Sequence, residues 1–179
     1  MLKKILTVLG ALLVLFLFVV AIQPSEFQVT RSMTISAAPN TVFAQVNGLR
    51  SWNTWSPWAK LDPNAKNSFE GPKTGKGAVM SWSGNNEVGE GRMTIIDSTA
   101  NKEVKFQLDF VRPMKATNYS DFTFVPVGKK TLVVWKMSGK NNFVAKAIGL
   151  VMDYEKMVGG QFEQGLTNLK NLVEKKANK

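Results

Sequence analysis

The side chains best able to do chemistry in this chain are carboxylates and lysines, because its 179 residues include no histidine and no cysteine. That composition removes the side chain that titrates near neutrality, the Ser-His-Asp arrangement, thiolate catalysis, disulfides and the commonest zinc ligands together. Acid–base work would fall to carboxylates, lysine, tyrosine or ordered water. Asp109 and Asp121 fall on adjacent predicted strands, yet alternation assigns both to the wet face. Glu90, inside the Gly89-x-Gly91 break, is either a solvated loop carboxylate or an inward-pointing polar group. No acidic group has metal-ligand spacing, so no metal and no cofactor is expected, and no catalytic residue is assigned.

The stretch 71-GPKTGKG-77 resembles a phosphate loop only superficially. A P-loop needs four residues between its first glycine and the Gly-Lys pair, followed by Ser or Thr. Here three intervene and Gly77 takes the last place, so a hairpin turn is the better reading. Gly89 and Gly91 lack the third glycine of a dinucleotide fingerprint and mark a bulge or bend in a strand region.

Apolar chemistry is better represented. Met80, Trp82, Met93, Phe106, Leu108, Phe110, Trp135, Met137 and Phe162 form an inward-facing set that is large, adaptable and uncharged. Such a set either lines a ligand cavity or fills an ordinary core. In 51-SWNTWSPWAKLDP-63, Trp52 and Trp55 lie three apart before Pro57, so a short helix puts them on one side, while Trp58 follows the proline and points elsewhere. Packing over the end of a sheet is the favoured role for these rings, with contact at a cavity lip or a membrane as alternatives.

The elements that must position these residues are legible in the periodicity. In 26-EFQVTRSMTI-35, Phe27, Val29, Arg31, Met33 and Ile35 share one side of a strand, with Arg31 interrupting an otherwise apolar face. The segment 36-SAAPNTVFAQVNGLRSW-52 predicts a short helix, with Pro39 in its first turn and Gly48 as its stop. From Lys76 to Ser138 the period is two. Val104, Phe106, Leu108 and Phe110 alternate with Lys105, Gln107 and Asp109, and similar runs surround Met80, Met93, Phe122 and Trp135. About six strands are expected, including the first. Val158, Phe162, Leu166, Leu169 and Val173 then recur at helical spacing, predicting an amphipathic helix of about 20 residues. An earlier turn or helix is expected over 143-FVAKAIGLVM-152.

Ahead of all this, 5-ILTVLGALLVLFLFVVAI-22 carries no charge over 18 positions. As a helix it spans roughly 27 Å, close to the hydrocarbon thickness of a bilayer. It exceeds the usual apolar region of a secretory signal, and 19-VVAIQPSE-26 matches an A-x-A cleavage site poorly. We read residues 1–22 as a single-pass membrane anchor, 23–26 as a tether and 27–176 as the folded domain. Lys3 and Lys4 before the run, with no basic residue after it until Arg31, predict a cytoplasmic N-terminus and a periplasmic or extracellular domain at the inner or plasma membrane. The formal charge of +10 leaves +8 beyond Lys3 and Lys4. A basic domain held at a membrane meets anionic lipid first. Lysines such as Lys129, Lys130 and Lys175 are scattered over turns and tail without a recognition motif, so no nucleic-acid partner is expected.

Strand, short helices, meander and long C-terminal helix describe an α+β chain whose curved antiparallel sheet wraps around that last helix. In that order, 52-WNTWSPWAKLDP-63, 75-GKGAVMSW-82, 88-VGEGRMTI-95 and 162-FEQGLTNLK-170 resemble the START-like superfamily of polyketide cyclase/dehydrase and lipid-transport proteins. The resemblance covers about residues 27 to 175. It implies the helix-grip fold, preceded here by the transmembrane helix, and a hydrophobic cavity between sheet and helix for a lipid or another small apolar molecule. The expected activity is noncatalytic binding, with the nine inward residues as ligand contacts. Two alternatives remain: a polyketide cyclase/dehydrase-like enzyme acting on an aromatic or apolar substrate, and a noncatalytic envelope module that binds protein through its outer face.

Overall fold

Two periodicities, 2.0 and 3.6, divide the chain, and the computed structural model, which describes residues 1–177, follows that division. An apolar helix, α1 (Leu2–Ala21), leads into β1 (Glu26–Ile35). Next come α2 (Pro39–Asn47), a 3-10 helix (Leu49–Thr54) and the single-turn α3 (Trp58–Leu61). A meander follows: β2 (Lys66–Glu70), β3 (Val79–Ser83), β4 (Glu90–Thr99), β5 (Glu103–Arg112), β6 (Ala116–Val127) and β7 (Lys130–Lys140). The short α4 (Phe143–Gly149) then precedes the long α5 (Tyr154–Ala177). Pro39 starts α2 where its missing N–H has no intrahelical partner to lose, and Asn142 caps α4 by accepting from the Ala145 N–H at 2.8 Å.

All seven strands belong to one antiparallel sheet in the order β1-β7-β6-β5-β4-β3-β2. The expected count of six omitted β2. That strand runs along an edge, only Phe69 in it is even partly buried, and Arg50 covers the ring at 4.5 Å. With one apolar residue in five, β2 leaves no alternation to read. The segment 71–77 is indeed the β2–β3 hairpin connection, with Gly71 and Gly77 at φ of +73° and +88°. The bend at Gly89–Gly91 coincides with a register shift between Glu90 and Gly91.

The concave face of the sheet grips α5 through Phe162, Leu166, Leu169 and Val173, all fully buried. Two glycines seat that helix. Arg31 and Trp135 face each other across β1 and β7 and both reach α5. Trp135 lies flat on Phe162, its ring centroid 3.9 Å away, and a Cβ on Gly165 would stand only 2.8 Å from the indole. Arg31 crosses Gly159, pinned by Glu155 and Glu163 at 2.6 Å each, one helical turn to either side. The arginine that interrupts the apolar face of β1 therefore meets a polar stripe on α5. The two carboxylates hold its guanidinium well above the ordinary arginine range.

Candidate functional site

Beside this grip the sheet and helix part. Toward the start of β1 and the end of β7 they enclose a cavity of about 710 Å3, in the ~300–1,000 Å3 range of small-molecule sites. Its wall is built by alternation. Met80 and Trp82 project from β3, Met93 from β4, Leu108 and Phe110 from β5, and Trp135 and Met137 from β7, so seven of the nine inward residues meet here. The α3 region closes one side with Trp58, Ala59 and Asp62, and the start of α5 closes another with Tyr154, Met157 and Val158.

The remaining two inward residues lie elsewhere. Phe106 is fully buried beneath Trp52, at 5.2 Å, and beside Phe122, at 6.1 Å. Phe162 is fully buried against Trp135, and their 3.9 Å stacking leaves no space between them for a ligand. Alternation and helical stripes identify which side a residue faces. They do not say where along that side the helix lifts away from the sheet.

The three tryptophans of the 52–58 segment converge on one ring. Trp52, Trp55 and Trp58 stand 6.2, 5.8 and 6.0 Å from Trp135, so Trp58 does not point away, as its place after Pro57 suggested. Trp52 and Trp55 donate their indole N–H groups to the Val46 and Gln45 carbonyls at the end of α2, at 2.8 and 3.2 Å. Both are core rings, and Trp52 also contributes to the cavity wall, as does half-buried Trp58. Gly91 makes room for Trp82: a Cβ there would sit within 2.7 Å of two ring carbons.

Polar groups interrupt the apolar lining at Asn53, Ser56, Asp62, Asn67, Asn118, Ser120, Lys140 and Asn141, and several are committed to partners. Trp135 donates to the buried Ser120 hydroxyl at 2.9 Å, which in turn donates to the Lys136 carbonyl at 3.0 Å. Asp62 accepts from the backbone N–H groups of Asn85 and Asn64 at 2.7 and 3.0 Å. Periodicity missed Asn118 and Ser120 because they continue the inward side of β6 with polar residues, just where a hydrophobic pattern stops reporting. Glu90 is not on the wall; it pairs with Arg112, its partner across β4 and β5, at 3.1 Å. Asp121 pairs with Lys136 at 3.2 Å, and Asp109 accepts from the Thr117 hydroxyl at 2.7 Å, both on the convex face. A separate crevice of about 30 Å3 beside Arg50 and Phe69 has room for water and little else.

The profile of the polyketide cyclase / dehydrase and lipid transport family matches residues 26–174, the whole sheet and nearly all of α5. The chain belongs to that family. Solved structures share its fold at low identity. The Aha1 dimer from Colwellia psychrerythraea has a TM-score of 0.60 at 16% identity, covering 83% of this chain and 96% of that one. The protein MLL2253 from Mesorhizobium loti has a TM-score of 0.61 at 15% identity, covering 83% and 98%. The protein XoxI from Bacillus cereus has a TM-score of 0.60 at 17% identity, covering 82% and 94%. No curated protein matches the chain in sequence. Membership of the polyketide cyclase/dehydrase and lipid transport family accounts for 26–174; α1 lies outside the matched region and is long and apolar enough to cross a membrane.

Proposed function

We propose that this chain binds a lipid or another small hydrophobic molecule between sheet and C-terminal helix, held at a membrane by α1. The carrying observation is the cavity itself: about 710 Å3, with methionines, tryptophans, leucine and phenylalanine supplying most of its wall on the sheet side. A space of that size and lining favours an apolar occupant through surface removed from water, and methionines adapt to varied shapes. Met80, Trp82, Met93, Leu108, Phe110, Trp135 and Met137 are the proposed contacts. Membership of a lipid-transport family agrees with this reading.

The test fills the space. Leu108→Trp in the full chain should abolish the fluorescence gain of an environment-sensitive apolar dye while leaving the melting midpoint nearly unchanged. Unaltered dye uptake by a folded Leu108→Trp variant would count against the cavity as the binding site.

A further inference from the structure

The cavity and the point where the chain enters the fold lie at the same end of the sheet. Phe27 near the start of β1, Ala116 at the start of β6 and Lys140 at the end of β7 all line the cavity. At that end the last turn of α1 packs on α4: Val20 is fully buried and the Lys146 ammonium reaches the Ala21 carbonyl at 3.4 Å. Asn141 ties the junction further, donating from its backbone to Ser25 at 2.9 Å and from its side chain to Pro24 at 3.3 Å.

The elbow from α4 into α5 carries apolar surface that the described residues leave uncovered. Phe143, Val144, Leu150, Val151, Met152 and Met157 are 49, 54, 38, 85, 46 and 49% exposed. Met157 and its neighbours Tyr154 and Val158 also form the cavity wall, so this elbow is at once an exposed patch and a rim. Apolar side chains gathered this way mark an interaction surface. Its position selects the occupant. The patch begins where a helix of bilayer length ends, and Lys146 sits at the junction with a stem that can lie along apolar surface while its charge stays at headgroup level.

We propose that the α4–α5 elbow is a membrane-seated lip: its exposed apolar side chains lie among the acyl chains of the bilayer that holds α1, and the cavity receives its occupant directly from lipid. The proposal rests on the membrane-held binding reading above and adds the route of entry. Two consequences differ from those of a domain merely tethered near a bilayer. The elbow should be in hydrocarbon even when the cavity is empty, and entry from lipid should depend on it.

The absence of cysteine makes the test clean, since one introduced thiol carries the only label. The full chain would be reconstituted in phosphatidylcholine–phosphatidylglycerol vesicles with brominated acyl chains, bearing a solvent-sensitive fluorophore at Val151→Cys or, as control, at Val127→Cys. Val127 is 51% exposed at the β6–β7 turn, the far end of an 11-residue strand. That distance is roughly 35 Å. Quenching several-fold stronger at 151 than at 127 is expected; equal quenching overturns the lip. In addition, Leu150→Asp with Val151→Asp should slow transfer of a fluorescent fatty acid from vesicles several-fold while leaving its uptake from detergent solution unchanged. Unchanged transfer from vesicles likewise overturns the lip. Failure of the fatty acid to enter the unmodified chain by either route removes the binding reading instead, and the quenching comparison still decides where the elbow sits.

Discussion

Truncating Trp52 to alanine removes a ring that lies tilted against Trp55 at 4.7 Å, meets Phe106, Phe122 and Trp135 edge-on, and donates to the Val46 carbonyl. Because the ring serves mainly as core, the variant should lose about 3–5 kcal/mol of stability, read as a lower urea midpoint, with a smaller effect on dye affinity. Phe162→Ala should behave alike, since its ring lies against Trp135 and away from the cavity wall; a loss of dye binding without loss of stability would contradict that placement. The side that each residue faces was readable from alternation, and seven of the nine inward residues do meet at the cavity. Depth was not readable. Phe106 and Leu108 are two apart on β5 and share a face, yet one is sealed under Trp52 and the other is on the wall, a difference made by a ring more than 50 positions earlier in the chain.

Among the elements, α5 shows how one substitution can change sign with position. Gly160 has open space where a Cβ would stand, so Gly160→Ala should stabilise the helix by up to about 1 kcal/mol. Gly165→Ala places its methyl 2.8 Å from a tryptophan already fixed by Phe162 and Ser120, so it should destabilise despite the same gain in helix propensity. Thermal melts of the two variants check this pair. The far end of α5 is fastened by Glu174, which accepts from the Ser36 N–H at 2.7 Å; that bond holds its carboxyl below the usual glutamate range. A lowered folded-state value contributes stability above the unfolded value near pH ~4.3 and loses it as pH falls through the folded one. Glu174→Gln should therefore flatten the acid side of the stability curve, measured by denaturant melts across that range. The 3.6-residue stripe announced α5, but it says nothing of the seats at Gly159 and Gly165, because their purpose lies on β1 and β7.

At the scale of the whole molecule, reading α1 as an uncleaved anchor with Lys3 and Lys4 inside predicts that protease added to intact spheroplasts digests the domain, and that the chain stays in the membrane fraction. Protection of the domain, or recovery of a soluble chain lacking 1–22, would contradict that topology. The order of elements was legible because each switch of period is sharp; β2 was not, because an edge strand with one half-buried ring shows no pattern. The junction after α1 has a mechanical consequence. Only Ile22 to Ser25 separate α1 from β1, a reach of at most about 14 Å, and Asn141 and Lys146 stitch that segment to the domain. With α1 in a bilayer, anchor and domain would turn as one body, without the slack to cross to an opposing membrane. On the proposed binding reading, such a protein would be a berth rather than a ferry: cargo would pass only to something drifting in the same plane, and the frequency of hand-off would scale with lateral crowding rather than with the width of the compartment above.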